Sequence, residues 1–165
     1  MLKNKEGRVL IPGPLSDGVN LMDQNLQRAN FHGIRLDGLN CSGADLRDAD
    51  FSQADIYWLD GYSADFSGAT FINARFEGAN FKSACMRGAD FSGAFIGPDR
   101  VGIASTFEHA DLTGAVLDDA RLDGCHYDEA TKFPSGFDPS QRGLIRVFKD
   151  DDTAVEPPCK TSMPN

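Results

Sequence analysis

Residues 44–50 read Ala44-Asp45-Leu46-Arg47-Asp48-Ala49-Asp50 and contain one complete copy of a five-residue unit. Later copies read Ala-Asp-Phe-Ser-Gly at 64–68 and Ala-Asn-Phe-Lys-Ser at 79–83. An apolar residue stands at the third place of nearly every copy, and alanine usually stands at the first. Because this unit recurs along most of the chain, it decides the fold.

The spacing of the central apolar place indicates short extended segments joined by turns. A helix would require spacings of three and four residues, so a period of five excludes one long amphipathic helix. Two inward residues separated by one outward residue are typical of a short strand. Glycines two residues after the centre suit a turn at positive φ. The centres are Leu21, Leu26, Phe31, Leu36, Cys41, Leu46, Phe51, Ile56, Gly61, Phe66, Phe71, Phe76, Phe81, Met86, Phe91 and Ile96.

The pattern Ala-(Asp/Asn)-(Leu/Phe)-X-X resembles that of the pentapeptide repeat family, over roughly two-thirds of the chain. The resemblance implies an all-β fold, a right-handed quadrilateral β-helix of about five to six coils with short capping elements at both ends. Each coil would contain about four units. The segment 127–139 resembles the closing segment of cyanobacterial members.

The sequence divides into four parts. Residues 1–18 are expected to cap the first coil, with Val9 to Ile11 as the apolar cover, and residues 19–129 to form the repeat β-helix. Residues 130–142 are expected to form the C-terminal cap. Residues 143–165 form a tail, which we expect to be mobile from Asp150 onward. The apolar run 143–148 leaves two alternatives open, packing on the rod or remaining free.

Central residues that are 20 positions apart would lie on the same face of successive coils, and this grouping predicts how the core packs. Phenylalanines at 31, 51, 71 and 91 would form one stack. On another face, the small centres Cys41 and Gly61 each follow a leucine at the partner place, Leu39 and Leu59 respectively. Because a dense core conserves volume, we predict that both leucines are buried.

The register of the repeat changes after Ile96, and centres resume at Phe107. The residues 97–106 contain a turn signal, Gly-Pro-Asp-Arg. One interpretation is a one-residue bulge with Val101 still in the core. The other is a protruding recognition loop, as in some quinolone-resistance members of the family. The small size of the insert favours the bulge.

Charge and cysteines limit the classes of function. The net charge is −9; residues 1–20 carry three basic and two acidic side chains, and residues 140–165 carry four of each. The −10 charge of the body between them argues against direct nucleic-acid binding. No apolar run suits a membrane span or a signal peptide, which indicates a cytoplasmic protein. Coil spacing would place Cys41, Cys85 and Cys125 too far apart for disulfides, so we expect free thiols.

No catalytic, cofactor-binding or metal-binding motif is present in the sequence. The histidines His32, His109 and His126 occupy outward places and are expected to be solvated. An interior filled by leucine, phenylalanine and alanine would leave no pocket for convergent polar groups. The sequence therefore predicts a protein that is not an enzyme and that uses no cofactor or metal.

Exposed aromatic side chains mark the best candidate for a contact with another protein. Tyr57, Trp58 and Tyr62 occupy outward places around one corner, and Asp99 and Arg100 lie in the irregular turn. Exposed aromatic clusters bury large areas on binding; the alternative is that the rings lie flat on the rod or under the tail. We expect a rigid interaction or regulatory scaffold, either a monomer or an end-to-end homodimer. The alternative function is an acidic DNA mimic that binds a type II topoisomerase (DNA gyrase), although the aspartates look dispersed over the faces.

Overall fold

The structure, a computed structural model, describes residues 1–148 and Cys159. Within these residues the regular elements are eight short strands, joined by turns and single bridges. The strands are β1 (Leu2–Lys3), β2 (Val9–Ile11), β3 (Arg35–Asp37), β4 (Asp55–Tyr57), β5 (Arg75–Glu77), β6 (Phe95–Gly97), β7 (His126–Tyr127) and β8 (Ile145–Arg146). No helix among the described residues is long and apolar enough to cross a membrane.

Parallel pairing at a constant offset stacks one coil on the next. Strands β3, β4, β5 and β6 form one sheet, in which Leu36, Ile56 and then Phe76 are register partners. Single bridges with the same 20-residue offset stack the other three faces, as between Asn20 and Asn40. Every outward slot therefore lies above its equivalent in the previous coil. The fold is the right-handed quadrilateral β-helix that the sequence predicts.

The corners depend on backbone in the left-handed region. Glycines two residues after a centre, such as Gly68 and Gly93, have a φ of 67°. Where the sequence lacks glycine at this slot, other residues adopt the same conformation, among them Asp48 (58°) and Trp58 (53°). Left-handed backbone costs a residue with a side chain about 1–2 kcal/mol. A bulky residue at such a corner is therefore a local departure from what the repeat favours.

The interior is filled by the central and alanine places. The rings of Phe31, Phe51, Phe71 and Phe91 stack along one face, with centroid separations of 4.5, 5.2 and 4.5 Å. Leu39 and Leu59 are 0% and 1% exposed, which confirms their predicted burial. At the small centres Cys41 and Gly61, the leucine at the partner place fills the volume and keeps the core dense.

The register change is a protruding loop, and the bulge interpretation is wrong. Below the loop the coils repeat every 20 residues, but Asn80 pairs with Thr106 and Phe95 with Arg121, offsets of 26 residues. Val101 is 80% exposed, so it does not fill the core. The six extra residues leave the ladder because Phe107 takes the stacked position above Phe81, at a centroid separation of 5.5 Å.

Both ends of the coil stack are covered. At the N-terminal end β1 and β2 pair antiparallel, and Leu2 is buried in the core cluster. At the other end β8 pairs in parallel with β7, and Leu144 is 7% exposed. The run 143–148 thus packs on the rod through Leu144, while its last residue, Phe148, is 80% exposed. The expectation of a mobile tail from Asp150 falls outside the described residues, except at Cys159.

Candidate functional site

The loop of residues 98–104 is ordered by the carboxylate of Asp99. Asp99 Oδ1 accepts hydrogen bonds from the backbone N–H groups of Val101 (2.9 Å) and Ile103 (2.8 Å). The Asp99 N–H in turn donates to the Ile103 carbonyl at 2.9 Å. A hydrogen bond from Trp58, followed by those that the carboxylate accepts from the Ile103 and Val101 N–H groups, lowers the pKa of Asp99 below its usual value. The loop is therefore a compact turn with a fixed shape.

At the base of the loop, Ser105 repairs the interrupted ladder. Its hydroxyl accepts from the Ala79 N–H at 2.9 Å and donates to the Gly97 carbonyl at 2.7 Å. Ser105 is fully buried and takes the inward place two residues before the centre Phe107. The Gly97 carbonyl also accepts from the Gly78 N–H at 3.0 Å, so the particular contribution of Ser105 is an acceptor for the buried Ala79 amide where the loop rejoins the coil.

Trp58 is held against the rod by the loop. Its Nε1–H donates to Asp99 Oδ2 at 2.8 Å, across 41 residues of sequence. The indole lies over Gly78, where an added Cβ would come within 2.8 Å of Trp58 Cδ1 and 3.4 Å of Asp99 Cβ. Even so, Trp58 is 51% exposed. One face of the ring is therefore fixed by the protein and the remainder faces solvent.

Tyr57 and Arg100 lie beside Trp58 and the loop. The Arg100 guanidinium lies 5.6 Å from the centroid of the Tyr57 ring, and the Tyr57 and Trp58 rings meet edge to face at 6.3 Å. A cavity of about 360 Å³ is lined by Asp37, Tyr57, Trp58, Asp99, Arg100 and Val101. We call Tyr57, Trp58, Arg100, Val101 and Ile103 the loop surface; Val101 and Ile103 are 80% and 56% exposed.

The structure brings together four of the five residues that the sequence singles out as contact candidates. Tyr62 is the exception, because it lines a separate depression with Met22 and Asp60. Sequence reasoning missed Val101, Ile103 and Gly78 as parts of the surface. The interval of eleven residues between Ile96 and Phe107 is the signal that points to the loop.

The outward charges are arranged in rows along the rod, and the rows differ in sign. One row, the aspartate row, contains Asn25, Asp45, Asp65, Cys85 and Asp111. Another row, the arginine row, contains Arg35, Asp55, Arg75, Phe95 and Arg121. In the arginine row, Arg75 and Arg121 lie on the Phe95 ring at 5.3 and 5.0 Å. The two rows therefore differ in composition, although Asp55 lies within the arginine row.

The aspartate row is largely neutralised by basic partners. Asp45 pairs with Arg47 at 2.7 Å, and Asp111 pairs with Arg87 at 2.8 Å and with Lys132 at 3.5 Å. Burial raises the pKa of Asp111, but hydrogen bonds from Arg87 and Thr113 outweigh it and lower the pKa to about 2. The side chain of Asp111 is 0% exposed. This carboxylate therefore serves to join coils and is not free for a ligand.

Two histidines differ from the expectation that all three are solvated, because His109 and His126 are half-buried. The side chain of His109 is only 21% exposed, and its Nδ1 lies 2.5 Å from Asp128 Oδ2, although the two atoms are not aligned for a hydrogen bond. Asp128 Oδ1 instead accepts from the backbone N–H of His109 at 2.9 Å. This contact ties the end of the repeat, at Asp128, to the preceding coil. Residues 1–148 and Cys159 contain no group of three or more His, Cys, Asp or Glu side chains suited to a metal ion.

The expectation of free thiols is half wrong. Cys41 and Cys125 are free and buried, but Cys85 forms a disulfide with Cys159, at a Cα–Cα distance of 4.9 Å. Coil spacing constrains only the cysteines inside the coils, whereas Cys159 follows them in the sequence and lies on the outside of the rod. Disulfides are rare in cytosolic proteins, so this bond does not favour a cytoplasmic location.

Comparisons with known proteins agree with this architecture. A family model described as pentapeptide repeats, with eight copies, matches residues 17–58, 62–95 and 104–126. A search of curated proteins gives no match. Among solved structures, a pentapeptide repeat protein from the Arabidopsis thaliana thylakoid lumen is 27% identical, covering 60% of this chain and 68% of its own, with a TM-score of 0.48.

Two further solved structures are similar to this chain. HetL, involved in heterocyst differentiation regulation in the cyanobacterium Nostoc sp. strain PCC 7120, is 22% identical over 78% of this chain and 55% of its own, with a TM-score of 0.33. QnrB1, a plasmid-mediated fluoroquinolone resistance protein, is 19% identical over 72% of this chain and 64% of its own, with a TM-score of 0.34. At these scores neither structure carries an argument about function. The family model matches more than half of the chain, and the protein belongs to the pentapeptide repeat family.

Proposed function

We propose that this protein is a non-catalytic scaffold that binds another protein through the loop surface. The observation that carries the proposal is the state of Trp58. It is the single tryptophan of the chain, it stands half exposed in a left-handed corner, and a loop from a later coil holds it in place. Among the described residues nine other non-glycine corners share the left-handed conformation, so it is the large, half-exposed ring fixed by another coil that marks this place as a candidate contact.

The composition of the loop surface supports a protein partner. Tryptophan, tyrosine and arginine are the residue types enriched at the energetic centres of protein interfaces. Here one of each lies beside the exposed apolar side chains of Val101 and Ile103. Because Asp99 already fixes the loop and the indole, little conformational entropy remains to be lost on binding.

The test is affinity capture from an extract of the source cells with matched variants as bait. Glycine is favoured at left-handed corners, so Trp58→Gly removes the indole while suiting the backbone. Val116→Ser is the control, since Val116 is also exposed (39%) but lies on another face. We expect Trp58→Gly to reduce recovery of the wild-type partner about tenfold or more, as loss of a hot spot would, and Val116→Ser to leave it unchanged. Equal recovery with both variants would contradict the proposal.

The second candidate, an acidic DNA mimic that binds DNA gyrase, rests on the −10 charge of the repeat body. It has less support, because Arg47, Arg87 and Lys132 pair with the carboxylates of the aspartate row and a separate row is rich in arginine. A supercoiling assay tests it. Inhibition of gyrase, or protection from a quinolone, at roughly micromolar protein would favour mimicry over the scaffold.

Assembly and compartment complete the proposal. We place the scaffold in the cytoplasm, as a monomer or as a homodimer joined end to end, without direct contact with nucleic acid or membrane. The oligomeric state is measured by sedimentation over a range of concentrations. A dimer that persists after Ile145→Ser, at an exposed residue of the last strand, would not be joined through that end.

A further inference from the structure

The disulfide between Cys85 and Cys159 joins two parts of the chain that are 74 residues apart. Cys85 occupies an outward slot of the aspartate row, between Asp65 and Asp111. Cys159 belongs to the C-terminal segment that follows the last strand, β8. The bond therefore ties Cys159 to the outside of the repeat.

The two other cysteines are unable to exchange with this bond. Cys41 is 0% exposed at a core centre, and burial raises the pKa of its thiol. Cys125 is also 0% exposed; burial raises its pKa to about 12, and its Sγ donates to the Ile96 carbonyl at 3.0 Å. Because the thiolate is the reacting species, neither competes at neutral pH. The chain thus contains one exchangeable pair and two inert thiols.

We propose that the Cys85–Cys159 disulfide is a reversible redox clamp on the C-terminal segment, opened by a dithiol protein of the thioredoxin class. Cys159 is partly exposed, whereas Cys85 is 2% exposed. An incoming thiolate therefore reaches the sulfur of Cys159. This inference is independent of the proposed partner at the loop surface.

The Cys85–Cys159 disulfide is reduced in two steps of thiol–disulfide exchange. The first thiolate of the reductant bonds to Cys159 Sγ and expels Cys85 Sγ as a thiolate, which lies 3.2 Å from the hydroxyl of Ser67. That thiolate takes up a proton. The second thiol of the reductant, as thiolate, then attacks the mixed disulfide and expels the Cys159 thiolate. Two electrons pass to the cystine, and the reductant leaves as its own disulfide.

Opening the clamp changes how the end of the protein is held. With the bond closed, the C-terminal segment is attached both through β8 and through Cys85. With the bond open, that covalent tie is lost, while the pairing of β8 with β7 and the burial of Leu144 remain. Proteases cleave segments that are not tied down. The redox state is therefore expected to set the cleavage rate beyond Phe148.

The test uses the full-length protein with thioredoxin, thioredoxin reductase and NADPH. Native samples are alkylated with N-ethylmaleimide, and intact mass counts the accessible thiols. We expect no added group before reduction and two after it, at Cys85 and Cys159. Trypsin should cleave at Lys149 about tenfold faster after reduction, since a released segment opens locally at little cost.

Two serine variants complete the design. Cys159→Ser should take up one N-ethylmaleimide without reduction and be cleaved rapidly in both redox states, whereas Cys41→Ser should behave like the wild type. Failure of thioredoxin to expose the two thiols in the native protein would overturn the proposal. Equal trypsin rates for oxidised and reduced wild type would also overturn it.

Discussion

Leu59 fills the space of the side chain that Gly61 lacks. A Cβ built on Gly61 would lie 3.1 Å from Leu59 Cδ2 and 2.9 Å from the ring of Phe66. Each of these distances is shorter than an ordinary contact between carbon atoms. The large residue has moved from the central place to the partner place, and the same exchange occurs one coil earlier at Leu39 and Cys41.

This relationship predicts a strong coupling in a double-mutant cycle. Gly61→Leu should destabilise the protein by about 1–3 kcal/mol or more through overpacking. Leu59→Ala should cost about 2–5 kcal/mol through a cavity. The double variant Leu59→Ala/Gly61→Leu restores the usual order, with a small residue at the partner place and a large one at the centre. Its loss in free energy of unfolding should be smaller than the summed losses of the two single variants by at least about 1 kcal/mol. Urea unfolding measures all four proteins, and additive effects would contradict the exchange.

Features that are set by the five-residue period were predictable from the sequence. Features of the segments that depart from this period were not. The stack from Phe31 to Phe91 and the burial of Leu39 follow from one offset of 20 residues. The path of the loop depends instead on the single carboxylate of Asp99, which periodicity does not describe. The Cys85–Cys159 bond requires the course of a segment outside the coils. Periodicity therefore predicts the rod well and its attached segments poorly.

Asp111 predicts a specific acid sensitivity. Its pKa is lowered to about 2 by Arg87 and Thr113, so its stabilising effect is complete above its ordinary pKa and is lost as the pH falls toward 2. Allowing for solvent screening, the loss is on the order of 1–2 kcal/mol. We expect the free energy of unfolding of Asp111→Asn to fall less steeply than that of wild type between about pH 4 and pH 2.

The control for this experiment is Asp118→Asn, because Asp118 is exposed and forms no ion pair within residues 1–148. Its pH profile should follow the wild type. If Asp111→Asn and wild type lose stability in parallel over the acid range, the pairing of Asp111 with Arg87 and Lys132 does not contribute.

Asp99 predicts the behaviour of the loop. Asp99→Ala removes the acceptor for Trp58 and for two backbone N–H groups. We expect the emission of the single tryptophan to shift to longer wavelength, and the amides of 99–105 to exchange hydrogen faster. Because the loop lies outside the ladder, global unfolding by urea should remain unchanged. An unaltered Trp58 emission would show that the indole is held by Gly78 and the rod alone.

Shortening the loop separates the fold from the proposed contact. Replacing residues 98–104 by one glycine removes six residues, which restores the 20-residue offset between Asn80 and Thr106. It also supplies glycine at the left-handed corner. The ladder, Ser105 and Phe107 remain, so unfolding should stay cooperative with a Tm within about 4 °C of wild type. Partner capture should nevertheless be lost together with Arg100, Val101 and Ile103. Retained capture would place the contact elsewhere on the rod, because the shortened protein keeps every other outward row.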